Sequence, residues 1–315
     1  MRAPIAAALR RRSGGARLLV LRLSLSLTTI LLVASAAFIL AGLAPGDFTT
    51  TLGPRSLDPR VRASQQAVYG LDRPVWAQYV DWCGRLTRLD FGPSLLYGRP
   101  VSALLAERAG NTLRLAGGAL ALAFGLGLPL GMVTASRRPR PVARIVTFVS
   151  LVGVSLPPMA LALALAVLGV RAGWFVVGDS VVLPMIAVAL PMAASVERLF
   201  AQGMAAALRA PHVGAARARG VSEWALVCRH ATWTALAPLL GVFAVLMASV
   251  LSGSFGVEVV TAWPGLGRLA FDALAARDVN LVAGCAVTAA AFVTSATFLG
   301  DVLAPWCDPT QRTTQ

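Results

Sequence analysis

The chain contains no lysine; all 28 of its basic side chains are arginines. That absence excludes one motor, because the phosphate-binding loop G-x-x-x-x-G-K-[ST] needs a lysine on the nucleotide phosphates. If ATP drives this protein, the ATP site sits on another subunit. Charge of either sign is scarce, at 13% of 315 residues, with 14 acids and two histidines. Neither H-E-x-x-H nor G-x-S-x-G occurs, and no pair of acids falls inside an apolar run, so no hydrolase constellation is expected. Cys83, Cys228, Cys285 and Cys307 have no ligand-like spacing and no disulfide framework. No cofactor and no metal site are expected.

What is abundant is apolar sequence, 57% of the residues. Six runs approach or exceed the roughly 20 residues that a helix needs to cross the hydrocarbon core. They are Leu23–Ala44, Leu115–Ser136, Ile145–Val170, Ser180–Val196, Ala231–Val257 and Val279–Gly300. Ser180–Val196 is the shortest and carries Pro184 and Pro191, which predicts a short or kinked helix. Pro157-Pro158 interrupts the third run at a point that could flex or simply kink. A soluble helical domain would need charged faces on these helices, and none is visible. The first run exceeds the apolar length of a signal peptide and lacks a convincing cleavage site, so it is read as an uncleaved span.

Arginine placement sets the expected orientation. Arg2, Arg10, Arg11, Arg12, Arg17 and Arg22 precede the first run. Arg137, Arg138, Arg140 and Arg144 follow the second, and Arg198, Arg209, Arg217, Arg219 and Arg229 follow the fourth. The opposite short links are balanced, which puts both termini in the cytoplasm. The net charge of +14 is then mainly a topology signal, with contact to anionic membrane lipid as a second effect. Nucleic-acid binding is not expected, since no compact basic domain stands outside the membrane.

Two extramembrane pieces have internal order. In Pro45–Arg114, the spacing of Trp76, Tyr79, Val80, Cys83 and Leu86 predicts an interfacial helix, and a short amphipathic helix is expected after Pro100. In the link Phe200–Trp233, Gly220 can close a helix in the left-handed conformation and Ser222 can cap the next.

Within that link, His212-Val213-Gly214-Ala215-Ala216-Arg217-Ala218-Arg219-Gly220-Val221-Ser222-Glu223 resembles the coupling loop of the permease subunits of binding-protein-dependent ABC importers, dipeptide/oligopeptide/nickel type. Their pattern resembles Y-V-R-T-A-R-A-K-G-L-S-E. Leu43-Ala44-Pro45-Gly46-Asp47, Tyr97-Gly98-Arg99-Pro100-Val101, Glu258 with Trp263-Pro264-Gly265-Leu266-Gly267-Arg268-Leu269, and the tail Asp308-Pro309 extend the similarity from about Arg17 to Arg312. The W-P-G-L-G form favours the first of the two permeases in such systems. The chain departs at Gly214, where the broader E-A-A-x-x-x-G motif has an acid, and at His212 in place of tyrosine.

The resemblance implies an all-α integral membrane protein of six transmembrane helices with the type I permease fold. It implies a non-catalytic subunit that forms a path for peptides or similar small solutes, nickel chelates included, in a bacterial cytoplasmic (inner) membrane. The implied partners are a second permease, in a heterodimer, two ATP-binding subunits and an extracytoplasmic substrate-binding protein. The expected divisions are an arm at 1–22, the first span at 23–44, an extracytoplasmic segment at 45–114, a five-helix core at 115–304 with a coupling loop at 200–233, and a tail at 305–315. Ala215, Ala216, Arg217, Arg219, Gly220 and Glu223 become candidates for coupling to the ATPase; the alternative is that the arginines only enforce topology. Ser249, Ser252 and Glu258 are candidates for the substrate path, against simple close helix packing. Trp263, Pro264 and Gly265 are expected to make a rigid outer turn. A self-sufficient channel or carrier is the rival from another class, and it leaves the coupling loop unexplained.

Overall fold

The computed structural model describes residues 3–44, 48, 72–135, 140–173, 178 and 180–307, and among these every regular element is a helix. In chain order they are α1 (Ala3–Leu43), α2 (Val75–Leu86), α3 (Val101–Ala135), α4 (Arg140–Ser155), α5 (Pro158–Arg171), α6 (Val182–Leu208) and α7 (Pro211–Ala218). A short turn, Glu223–Ala225, and a π-helix, Leu226–Ala231, lead to α8 (Thr232–Gly241), α9 (Phe243–Val260), α10 (Leu266–Ala276) and α11 (Val279–Cys307). Pro45-Gly46-Asp47, the expected extracytoplasmic segment as far as Leu71, Arg137, Arg138 and Asp308-Pro309 lie outside the described residues. So do the side chains of His212, Glu223, His230 and the N-terminal arm.

Among the described residues, five helices are long and apolar enough to cross a membrane: Val20–Leu43 within α1, α3, α6, α9, and Val279–Gly300 within α11. The expected third span is a pair of helices, Pro141–Ser155 and Pro158–Arg171, bent by 100°. The cause is local. Consecutive prolines remove two N–H donors, and Pro157 at ψ 131° is extended, so the α4 ladder ends and Pro158 starts a new one.

Three further boundaries differ from the sequence expectation. No separate short helix follows Pro100, because α3 starts at Val101 and continues unbroken through the second apolar run. The expected division at 114/115 therefore falls inside one helix. The fourth run is neither short nor broken: α6 has 27 residues and accommodates Pro191, while Pro184 lies in its first turn, where an N–H is dispensable. The fifth run is divided at Val242 into α8 and α9.

The chain forms two compact units, Met1–Ala106 with Asp272–Phe298, and Glu107–Phe271 with Leu299–Gln315. In the first, α2 is amphipathic and lays Tyr79, Trp82, Cys83 and Leu86 against Ala34, Phe38 and Ala283. Trp82 is the buried anchor, with its ring centroid 5.1 Å from that of Phe38, a pairing that adds about 0.5–1.5 kcal/mol beyond area burial. The Tyr79 hydroxyl meets Ser35 Oγ at 2.7 Å. Trp76 and Val80 point outward, 70% and 59% exposed. Asp278 caps α11, accepting the Leu281 N–H, and its other oxygen accepts Ser94 Oγ at 2.7 Å and the Leu96 N–H.

In the second unit α6 is the central post. Its apolar window is 61% buried, against 28–33% for α3 and α9, and α4, α5, α8 and α9 pack on it. Its inward faces carry Ala187, Ala189, Ala193 and Ala194, small residues that let neighbouring backbones approach closely.

Candidate functional site

The segment between the fourth and fifth spans folds as its residue types dictate. Pro211 opens α7 at its first turn after the extended Ala210. Gly220 closes it at φ +82°, a left-handed conformation in which any other side chain is strained. The Gly220 N–H donates to Arg217 O at 3.0 Å and the Val221 N–H to Ala216 O at 3.3 Å. This paired closure consumes carbonyls that a helix end leaves orphaned. Val213, Ala216 and Leu226 are buried together, with Leu208 and Val221 against them. Ser222 Oγ accepts the Ala225 N–H at 3.4 Å.

That packing sorts the coupling candidates. Ala216 faces inward, so it sets the height of α7 rather than offering a contact surface. Gly214, Ala215, Ala218, Arg219 and Gly220 are exposed, and Arg217 is half-buried. The outward side is thus a low, cationic surface with little side-chain bulk. Trp224, 68% exposed, stands in the adjoining turn.

At the far end of α9 the polar candidates separate. Ser249 and Ser252 are exposed, whereas Glu258 is fully buried. On a helix, residues 249 and 258 lie half a revolution apart. Glu258 is braced: Oε1 accepts Thr112 Oγ1 at 2.8 Å, and Oε2 accepts the Gly267 N–H at 2.6 Å. Thr112 Oγ1 in turn accepts the Leu266 N–H at 2.8 Å. Carboxylate and hydroxyl together satisfy the first two amides of α10, where negative charge is favoured. A Cβ on Gly265 would come within 2.4 Å of the Glu258 carboxylate, so glycine is the residue that fits. Each oxygen of Glu258 is engaged by a donor and the side chain is fully buried, a geometry that suits a brace better than the expected place on a substrate path. Ser254 is buried too, its hydroxyl spent on Leu251 O.

The turn Trp263–Gly265 is held from α3. Trp263 Nε1 donates to Asn111 O at 3.4 Å, and Asn111 Nδ2 donates to Pro264 O at 2.9 Å. Arg268 Nη1 donates to Ala262 O at 2.6 Å. Asn111 and Thr112 are hydrogen-bonding partners of this site that the sequence reading missed. The available signal was a polar pair directly before an apolar run.

Ser249 has a different neighbourhood. A cavity of about 310 Å³ opens at the bend between α4 and α5, lined by Ser155, Pro157, Pro158, Pro191, Ser195 and Ser249 among others. Ser155 and Ser195 donate to their own helices, at Leu151 O and Pro191 O. Their oxygens still offer acceptor lone pairs to a solute. Ser252 does not line this cavity.

A second buried acid escaped the sequence reading, which ended the fourth run at Val196. Glu197 lies within α6, 1% exposed. Its Oε1 accepts Thr134 Oγ1 at 2.6 Å, and Oε2 has no hydrogen-bond partner among the described residues.

With this geometry established, comparison with known proteins is informative. Residues 127–313 match the family described as "Binding-protein-dependent transport system inner membrane component". The chain is 29% identical to the oligopeptide transport system permease protein AppB of Bacillus subtilis (strain 168), over 92% of its own length and 98% of that protein. It is 30% identical to a putative peptide transport system permease protein of Brucella abortus (strain 2308), covering 94% and 98%. To the dipeptide transport system permease protein DppB of Lactococcus lactis subsp. cremoris (strain MG1363) it is 29% identical, covering 92% and 97%. Among solved structures, a chain of the MetNI methionine ABC transporter in an inward-facing conformation superposes with a TM-score of 0.54. The match covers 66% of this chain and 97% of that one at 19% identity, a likeness of fold.

Proposed function

The chain belongs to the binding-protein-dependent transport system inner membrane component family, and from that premise we propose that it forms half of the path by which an ATP-driven importer moves peptides. The relatives named for oligopeptide and dipeptide transport, matched over nearly their whole length, support peptides as the solute class. A second, related permease completes the path in a heterodimer. Two ATP-binding subunits dock on the cytoplasmic side, and an extracytoplasmic binding protein delivers the solute. The chain's own role is non-covalent, and without lysine it has no phosphate-binding loop of its own. Arginine-rich links support a cytoplasmic position for both termini.

The observation that carries this reading is α7. It is closed at both ends by its own backbone chemistry, fixed from beneath by Val213 and Ala216, and outwardly small and cationic. A helix of that kind fits a cleft on a motor subunit and carries its movement into α6 and α8, the helices on either side of the link. Arg217 and Arg219 would pair with acids of the motor. The Ser249 cavity, at a bend where two prolines leave the ladder open, is the proposed wall of the path. Its hydroxyls suit peptide amides.

Mass spectrometry of what co-purifies with the tagged chain from native membranes in mild detergent tests the proposal. Recovery of a second permease and ATP-binding subunits is expected. Reproducible recovery of the chain alone, under conditions that keep a known importer whole, would overturn it in favour of a self-sufficient channel or carrier.

A further inference from the structure

In the unit built from α1, α2 and the start of α11, a cavity of about 730 Å³ lies between α2 and the loop that follows it. Three arginines line it, Arg73, Arg85 and Arg88, together with Asp81 and Asp90. The two acids are committed: Asp81 pairs with Arg73, and Asp90 Oδ1 accepts the Gly92 N–H at 2.9 Å. Arg85 and Arg88 have no carboxylate partner among the described residues, and Arg85 Nε is buried with no hydrogen-bond partner. The loop is shaped around this guanidinium. Gly92 is at φ +84°, and a Cβ there would meet Arg85 Nη1 at 2.8 Å. With three arginines against two acids, the cavity keeps a net positive charge and guanidinium donors to spare.

The rest of its wall joins apolar Phe38, Val80, Leu95 and Val279 with polar Gln78 and Asn280. Phe38 lies near the end of the crossing segment Val20–Leu43, and Val279 starts the crossing segment Val279–Gly300. The cavity therefore sits at the level where membrane headgroups lie. Exposed Trp76 and Val80 on α2 suit the same zone. We propose that this cavity binds an anionic phospholipid, its phosphate on Arg85 and Arg88 and the top of an acyl chain along Val80 and Val279. A free phosphate ion would use the arginines and leave the apolar side chains unemployed, which favours the lipid. The proposal does not depend on α7 or on the identity of the transported solute.

Native mass spectrometry of the full chain in delipidated detergent tests it, with phosphatidylglycerol and phosphatidylcholine of identical acyl chains. The native chain is expected to retain phosphatidylglycerol preferentially, with about fivefold of the preference lost for each arginine removed. Arg85→Gln with Arg88→Gln should bring the two lipids close to parity. Gly84→Leu offers a test that spares the fold. Gly84 lines the cavity, and a Cβ there meets nothing within 4 Å, so the leucine fills the space while raising helix propensity. Retention of both lipids should fall in that variant, with its thermal unfolding unchanged or raised. Equal retention of the two lipids by the native chain would overturn the proposal. So would an undiminished preference in the Arg85/Arg88 variant, undiminished retention in Gly84→Leu, or complete displacement of phosphatidylglycerol by millimolar inorganic phosphate.

Discussion

At the Glu258 end of α9 the polar side chains are buried and turned on one another, whereas around α7 Arg219 is exposed and Arg217 half-buried above a packed core of Val213, Ala216 and Leu226. Both regions carry charge at the edge of apolar sequence, and both belong to the same compact unit. The difference lies in where the hydrogen-bonding capacity goes. Glu258 gives both oxygens to Thr112 and the α10 amides, so it fastens three helices. On α7 the helix is closed by Pro211, Gly220 and Val221, and Ala215 and Arg219 stay exposed on its outer side. A charge at a membrane boundary is thus a brace or a contact according to whether its partners lie inside the chain.

The sharpest way to break this comparison is Glu258→Ala. It strands the Thr112 hydroxyl and the Gly267 amide in a buried site, at about 1–3 kcal/mol for each unsatisfied group. Thermal unfolding in detergent should record a loss of roughly 2–5 kcal/mol, with Glu258→Gln intermediate. Transport should fall only in step with the folded chain. A stably folded Glu258→Ala that fails in transport would return the acid to the path.

The second test contrasts two neighbouring alanines. Ala216→Leu overpacks the core beneath α7 and should cost about 1–3 kcal/mol of chain stability. Ala215→Leu adds bulk on the exposed side, so the isolated chain should change by no more than about 0.5 kcal/mol while ATP-binding subunits are lost from pull-downs. If both variants behaved alike, the sorting of α7 into an inner and an outer side would be wrong.

The smallest effect on stability is expected for Ser249→Leu, which fills the cavity at the α4–α5 bend from an exposed position. Stability should stay within about 0.5 kcal/mol, with peptide uptake reduced and the motor still bound. Unchanged uptake would remove this cavity from the proposed path.

The spans were legible in the sequence because hydrophobic length is a property of each segment by itself. The closure of α7 was legible for the same reason, since Gly220 and Ser222 act on amides a few residues away. What escaped depends on distant partners. The bracing contact of Glu258 is with Thr112, 146 positions earlier. Glu197 fell outside the fourth run because the run was ended at its first charge, and only the contact with Thr134 makes burial in α6 tolerable. Within α2, Tyr79, Trp82, Cys83 and Leu86 form the packed face, and the helical spacing chosen from Trp76 skipped Trp82. The Pro157-Pro158 break was visible in the sequence, but its 100° angle was not.

The most direct measurement is a pull-down of ATP-binding subunits by the tagged chain, normalised to folded chain. Arg217→Glu with Arg219→Glu would be compared with Glu258→Gln. A docking role for α7 and a bracing role for Glu258 predict that the arginine variant inserts and folds but loses the motor, while the glutamine variant keeps it. Retention of the motor by the arginine variant together with its loss from folded Glu258→Gln would contradict both assignments.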